Sequence, residues 1–286
     1  LEEMTKYFEL PIPILGISIG MNQLYKQASI KNIRVVLDGT GGDEIFGGYY
    51  DYYGPNLLEG YFSKGNFIQI ILFFYYSIRS NYSALKPTRT FLSRLYARLT
   101  NHSQLVENNS TYYCNNPFSR KRERMYLPKN ITDLLSMQRF DITKGRLQTW
   151  LQINDLNSMM YSVEARSPLL DYRLLAYLGM KEKFKFSKGY NKFTLRLVLS
   201  RLTSNDIAWR KDKKGMTYSD DNLIDKNRSH LISAVKDSKL IQSLFLEANH
   251  KNSLEDIFLN KSEGNDSLLL RCYSIYLLEK EYNLSF

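Results

Sequence analysis

Residues 35–53 read VVLDGTGGDEIFGGYYDYY, and five of the chain's 15 glycines fall between Gly39 and Gly48, around the acidic pair Asp43-Glu44. Just before them, Ile33 to Leu37 is a short apolar run rich in β-branched residues, which predicts a buried strand. A strand running into Gly39-Thr40-Gly41-Gly42 can take positive φ and let its backbone approach a ligand without a Cβ clash. Such a loop presents bare N–H groups, and Asp43 adds a hard oxygen ligand suited to Mg²⁺. Together they point to a phosphate-and-metal site at the carboxyl end of a parallel strand. The alternative is a glycine-rich turn with solvated acids, because a short glycine motif is weak evidence by itself.

Composition bounds what can surround this stretch. At 286 residues and 43% hydrophobic, the chain can build one sizeable core or two small ones. Lys+Arg 39 against Asp+Glu 29 gives +10, so the surface favours anionic partners. ATP and pyrophosphate meet that description, and no zinc-finger or RNA-binding motif appears, so no nucleic-acid partner is expected. The two cysteines, Cys114 and Cys272, lie far apart; they predict a reducing, cytoplasmic compartment with neither disulfide nor zinc. No signal peptide is read at Leu1. Phe67 to Ile78 is strongly apolar but falls short of the ~20 residues that a membrane span needs. It reads as a buried core or interface helix, and no membrane partner is expected.

Along the chain, residues 17–31 suggest a helix feeding the strand, and from about Gly54 onward the pattern is mainly helical, which together predict an α/β, predominantly helical fold. Residues 101–130 are polar and Asn-rich; their basic run Arg120–Arg124 reads as a solvated loop rather than a phosphate-gripping lid. Asp141 is expected to N-cap a long helix reaching towards Arg166. Leu147, Trp150 and Leu151 set its apolar face, and positions 151, 155 and 159 continue it at i, i+4 spacing. That places Asp155 on the buried stripe, where a carboxylate needs a partner. Pro168 ends the segment, and Asp171 is expected to cap a short helix stopping at Gly179. Leu195, Leu199 and Leu202 mark a further amphipathic helix, which delivers the chain to Trp209-Arg210; Leu268, Cys272, Ile275 and Leu278 mark the last. No repeats or low-complexity linkers appear, so one domain is expected.

The 35–53 stretch resembles the V-x-L-S-G-x-G-x-D-E-(L/V)-F-G-G-Y block of the asparagine synthetase family. The letters GGDE also open the GGDEF loop of diguanylate cyclases, but there the match stops, because Ile45 and then FGGYYDYY follow. Two more asparagine synthetase blocks appear in chain order. Asp155-Leu-Asn-Ser-Met159 leads into Ser162-Val-Glu-Ala-Arg-Ser-Pro-Leu-Leu-Asp171, similar to D-R-x-S-M…S-V-E-x-R-x-P-F-L-D. Arg210-Lys-Asp-Lys-Lys-Gly-Met216 is similar to R-x-D-K-x-G-(F/M).

This resemblance implies a PP-loop type fold, with a parallel sheet and helices, and an ATP- and Mg²⁺-dependent carbon–nitrogen ligase. Such enzymes activate a carboxylate as an acyl-adenylate; ammonia, taken from glutamine by a separate glutaminase domain, then displaces AMP. On the matched positions, Asp38, Gly39, Gly41 and Gly42 would line the nucleotide, and Asp43 would reach Mg²⁺-pyrophosphate. Lys213 would stabilise the phosphate transition state, and Thr40 takes the position that helps the intermediate form. Glu44, Asp155, Glu164 and Arg166 are either substrate contacts or structural; Glu164 and Arg166 sit at turn-forming positions, where a structural ion pair competes with substrate contact. Arg210 and Lys214 read as surface charge.

Two positions depart from the family pattern. Asp38 replaces the usual Ser and brings negative charge near the phosphates. Thr40 stands where Glu or Gln is common, and it can hydrogen-bond but cannot act as a carboxylate base. No S-G-G-x-D-S pyrophosphate loop, N-terminal Cys nucleophile or glutaminase domain is read in these residues. Residues 1–286 are therefore expected to be the C-terminal part of a synthetase domain, truncated at its N-terminus, inactive alone and partnered by an upstream segment. The acceptor is aspartate or a related carboxylate. The competing expectation is a non-catalytic scaffold or binding protein of the same family, and nucleic-acid binding through the net charge is a third.

Overall fold

The computed structural model of the chain describes residues 1–12, 15–79, 85–99, 131–211, 220–247, 253–260 and 263–284. Lys213, Lys214, Cys114 and the Arg120–Arg124 run lie outside them. Among the described residues the sheet is a parallel pair, β1 (Val35–Leu37) and β2 (Glu164–Arg166), with Val35 opposite Glu164 and Leu37 opposite Arg166. The remaining regular structure is helical, so the α/β, mainly helical expectation holds. Helices α1 (Glu2–Phe8) and α2 (Leu15–Ile30) precede β1. Then come α3 (Gly42–Phe46), α4 (Tyr50–Ser63), α5 (Phe67–Arg79), α6 (Leu85–Leu99), α7 (Leu134–Thr143) and α8 (Arg146–Met159), which leads into β2. Two 3₁₀ stretches follow, Pro168–Leu170 and Tyr172–Gly179. The rest is α9 (Glu182–Lys185), α10 (Phe193–Leu202), α11 (Asn205–Ala208), α12 (Asp220–Asp237), α13 (Lys239–Glu247), α14 (Leu254–Leu259) and α15 (Glu263–Tyr282).

Three apolar clusters hold these elements. Met21, Tyr25 and Ala28 of α2 meet Ile153 of α8 and Val163, with Val36 of β1 packed against them. An aromatic cluster joins α4 to α5, α6 and α7 through Tyr50, Tyr53, Leu57, Phe73, Phe91 and Met137. The C-terminal helices close around Val235, Ile241, Phe258, Leu269 and Cys272, with Met4 and Phe8 of α1 completing the cluster. Burying each such side chain stabilises the fold by about 1.5–3 kcal/mol. Cys272 is a free, buried thiol that burial pushes up to about 12.

Several sequence expectations need correction. The strand is shorter than Ile33–Leu37 and it is not buried: Ile33, Val35 and Leu37 are 45%, 39% and 68% exposed. Strand residues alternate between faces, so Val36 alone points to the core, and the outer face is apolar as well. Asp141 does not open a long helix. It lies in the last turn of α7, fully buried, and the chain breaks at Gly145 before α8 begins. A Cβ on Gly145 would come within 2.6 Å of Asp141 Oδ1, so the close turn needs glycine there.

The buried residues of α8 are Leu147, Ile153, Asn154, Asn157 and Ser158. Asp155 is therefore exposed rather than on the buried stripe. The inner face is partly polar, so Leu147, Trp150 and Leu151 do not by themselves mark it. Glu164 and Arg166 lie in a strand, not a turn. Asp171 does cap Tyr172–Gly179, accepting from Arg173 N–H at 2.9 Å, although that helix is 3₁₀ rather than α. The Phe67–Ile78 run forms α5, which buries Phe73 and Ser77 but leaves its other side open. No helix among the described residues is long and apolar enough to cross a membrane.

Candidate functional site

Asp38 follows β1, and its N–H extends the parallel ladder by donating to Arg166 C=O at 2.9 Å. Its carboxylate turns back to knit this end of the sheet. Oδ1 accepts from Thr40 N–H at 2.9 Å and from the Ser167 hydroxyl at 2.7 Å, and Oδ2 accepts from the Asn154 amide. Asn154 in turn accepts from the Tyr25 hydroxyl, and burial together with the Asp38 charge pushes Tyr25 up to about 12. Asp38 thus ties β1 to β2 and α8, with both oxygens occupied.

The glycines divide by role. Gly41 has φ +88, and a Cβ there would overlap Leu170; a Cβ on Gly42 would lie 2.8 Å from Leu169. These two glycines let the loop pack against the Pro168–Leu170 segment. Gly39 has nothing within 4 Å of its Cβ position and faces open space. The glycine block and the S-P-L-L-D block therefore form one wall, with Gly39 on the open side.

Asp43 lies in the first turn of α3. Its carboxylate rests over Gly48, where no Cβ could fit, and Oδ1 is 3.0 Å from Lys192 Nζ. Lys192 has φ 50 and opens α10, while its neighbour Asn191 donates its amide to Gly48 C=O. Arg196 fixes this turn to the third block. Its guanidinium donates to Asn191 C=O at 2.8 Å and Asn191 Oδ1 at 3.1 Å, and to the carbonyls of Ala208 at 2.9 Å and Arg210 at 2.8 Å. The start of the 210–216 block is thereby carried to the turn that reaches Asp43.

Behind the loop lies a buried polar network. Glu44 is 2% exposed and accepts from the Tyr49 hydroxyl at 3.0 Å; burial raises its carboxyl above the usual range. Gln138 of α7 donates to the carbonyls of Glu44 at 2.5 Å and Ile45 at 3.1 Å. Lys185 donates to Gln138 Oε1 at 2.5 Å and to Leu178 C=O at 2.7 Å, and desolvation pushes its ammonium down to about 8. Asp141 accepts from Tyr52 at 2.9 Å and Tyr53 at 2.8 Å; burial raises it despite these bonds. The Arg146 guanidinium lies 3.8 Å from the centre of the Tyr52 ring. The tyrosines after Gly48 thus anchor α3 and α4 onto α7 and α8.

The structure brings Asp38, Gly39, Thr40, Gly41, Gly42 and Asp43 together and turns Glu44 inward, away from solvent. Asp155 follows Asn154 on α8 with its carboxylate exposed. Glu164 and Arg166 pair through two bonds of 2.9 and 3.0 Å on exposed strand positions, which lowers Glu164. Lys192, Asn191, Arg196, Gln138 and Lys185 were not anticipated. Gly189-Tyr-Asn-Lys192 ahead of an apolar helix was the available signal for a turn carrying a cation.

Among the described residues no three His, Cys, Asp or Glu side chains gather to hold a metal. Asp43 offers one carboxylate, which fits Mg²⁺, an ion commonly held by one or two carboxylates together with phosphate oxygens. The family model described as asparagine synthase matches residues 1–264. No curated protein and no solved structure matches the chain.

Proposed function

We propose the reaction from one premise: the chain belongs to the asparagine synthase family. The reading is ATP-dependent amidation of a carboxylate, aspartate or a related acceptor, on a site that uses the Gly39–Asp43 loop. A carboxylate oxygen of the acceptor attacks the α-phosphorus of ATP, the bond to the β-phosphate bridging oxygen breaks, and pyrophosphate leaves. Ammonia then attacks the acyl carbon of the adenylate; AMP departs with the C–O electron pair and the nitrogen loses a proton. In this reading ammonia comes from glutamine on a glutaminase domain, and the β1–β2 pair is part of a PP-loop sheet completed by an upstream synthetase segment.

The observation that carries this reading is the Asp43–Lys192 pair beside the open Gly39 backbone. A carboxylate and an ammonium side by side suit a departing Mg²⁺-pyrophosphate: Asp43 would hold the ion and Lys192 would meet phosphate oxygens. Mg²⁺ would supply neutralisation of the phosphate charge. Gly39 leaves room for the nucleotide to approach the backbone. Thr40 positions through its hydroxyl, and Asp38 holds the loop rather than the nucleotide. Lys213 is assigned the transition-state charge from its place in the third block.

Exchange of labelled pyrophosphate into ATP tests the first half-reaction. Exchange that needs both Mg²⁺ and a carboxylate, and that Asp43→Asn abolishes, is the expected result. ADP as the product would sink adenylation. ATP binding without exchange would favour a scaffold that kept the loop and lost the chemistry, a reading to which Thr40 and the fully engaged Asp38 lend support.

A further inference from the structure

We propose that the outer face of α5 docks on an anionic membrane surface. Phe67, Ile68, Ile71, Tyr75 and Ile78 are 59%, 70%, 66%, 51% and 77% exposed. At about 100° per residue they fall within an arc of roughly 100°, one side of the helix. The opposite side carries Phe73, stacked on Tyr50, and Ser77, both buried in the aromatic cluster. Phe62, at the end of α4, is 45% exposed and meets Phe67 and Phe91 edge-on, so the apolar strip reaches towards α6. α5 therefore has an inner face that explains its position and an outer one that none of the described residues covers.

Charge selects the occupant. Residues 60–106 contain six Lys or Arg and no Asp or Glu; Arg94 is buried beside Glu59 and Lys64 pairs with Glu182. Arg79 ends α5 and Arg89 lies on the exposed side of α6. A second copy seated on this face would set basic surface against basic surface. Nucleic acid would satisfy the arginines but leave the isoleucines and Phe67 against phosphate. Anionic lipid satisfies both, because acyl chains take the apolar strip while headgroups take the cations. At about 1.5 Å per residue, α5 is roughly 20 Å long, less than the ~30 Å hydrocarbon core, so it would lie in the interface rather than cross it. This contact is independent of the catalytic reading.

Flotation of the purified protein with vesicles tests the assignment. Phosphatidylcholine vesicles containing about one third phosphatidylglycerol should capture roughly tenfold more protein than phosphatidylcholine alone, and high salt should weaken capture. The double variant Ile71→Glu, Ile78→Glu, shown to be folded by circular dichroism, should lose it. Because both positions are exposed, the fold should survive the change; Tyr75→Trp provides a second readout, a blue shift of its emission with the anionic vesicles only. Equal binding to both vesicle types, or binding that the double variant retains, would overturn the proposal. A concentration-dependent dimer that the double variant dissociates, without vesicle capture, would overturn it too and give the face to a second copy.

Discussion

Lys192 Nζ lies 3.0 Å from Asp43 Oδ1, joining the residue that opens α10 to the first turn of α3. The two side chains are 33% and 28% exposed, so water screens the pair and its contribution to stability is under ~1 kcal/mol. Its consequence is positional. In the proposed reaction the two would part, Asp43 for a metal ion and Lys192 for a phosphate.

Replacing Lys192 by Met should therefore separate binding from folding. Affinity for Mg²⁺-pyrophosphate is expected to fall roughly tenfold to a hundredfold, or about 1.4–2.8 kcal/mol. The thermal midpoint should move by less than about 3 °C. Calorimetric titration and thermal unfolding of the same preparation measure both. A large drop in the midpoint with unchanged affinity would make the pair a structural strut.

Gly41 and Gly39 should behave in opposite ways. Gly41→Ala places a Cβ into Leu170 at φ +88 and should cost about 2–4 kcal/mol, from left-handed strain plus overpacking. Gly39→Ala meets no heavy atom within 4 Å and should leave stability within about 0.5 kcal/mol. Only its nucleotide affinity should drop. Urea unfolding beside ATP titration decides it, and an unstable Gly39→Ala would mean that Gly39 serves the fold.

Asp38→Ser restores the residue usual in the family, yet it should destabilise this chain. A hydroxyl cannot reach Thr40 N–H, Ser167 and the buried Asn154 amide together, and lost bonds to a charged acceptor cost roughly 2–3 kcal/mol. Asp38→Asn, which keeps one accepting oxygen, should lose less. If chemical denaturation finds the serine variant as stable as the parent, the clamp is not holding the strand ends.

Lys185 predicts a pH dependence of defined sign. Its ammonium is pushed from 10.5 down to about 8 in the fold, so between these values the unfolded chain holds a proton that the native chain has released. Stability should therefore rise with pH across that window, by roughly 3 kcal/mol from this group. Buried tyrosines with raised pKa act in the opposite direction at high pH. The measurement is thus the difference between the parent and Lys185→Met from pH 8 to 10.5. A flat difference would place the Lys185 amine in water.

Legibility in the sequence followed local physics. The strand before the glycine block, the helix after residue 17 and the cap at Asp171 rest on nearest-neighbour rules and appear where expected; the Leu195–Leu202 helix forms as α10, but Leu199 and Leu202 are exposed rather than on a buried face. The inward face of α8 did not appear where expected, because Asn154, Asn157 and Ser158 are buried by partners far along the chain. Lys185 and Gln138 were invisible for the same reason: a buried amine satisfied by an amide and a carbonyl leaves no periodic trace. Lys192 was a lone cation in a turn until the fold set it against Asp43. The exposed β1 was misread because an apolar run reads alike whether one face or both are covered.

The β1–β2 register has a consequence during synthesis. Val35 pairs with Glu164, so β1 leaves the ribosome well over a hundred residues before its partner. At about 5–20 residues per second, its hydrogen-bonding edge waits on the order of ten seconds for β2. Throughout that interval the backbone N–H and C=O groups of Val35 to Leu37 that β2 will pair stay open, beside apolar side chains that remain exposed even in the finished fold. Slow codons or cold growth would lengthen the wait, and a holding chaperone would shorten its cost.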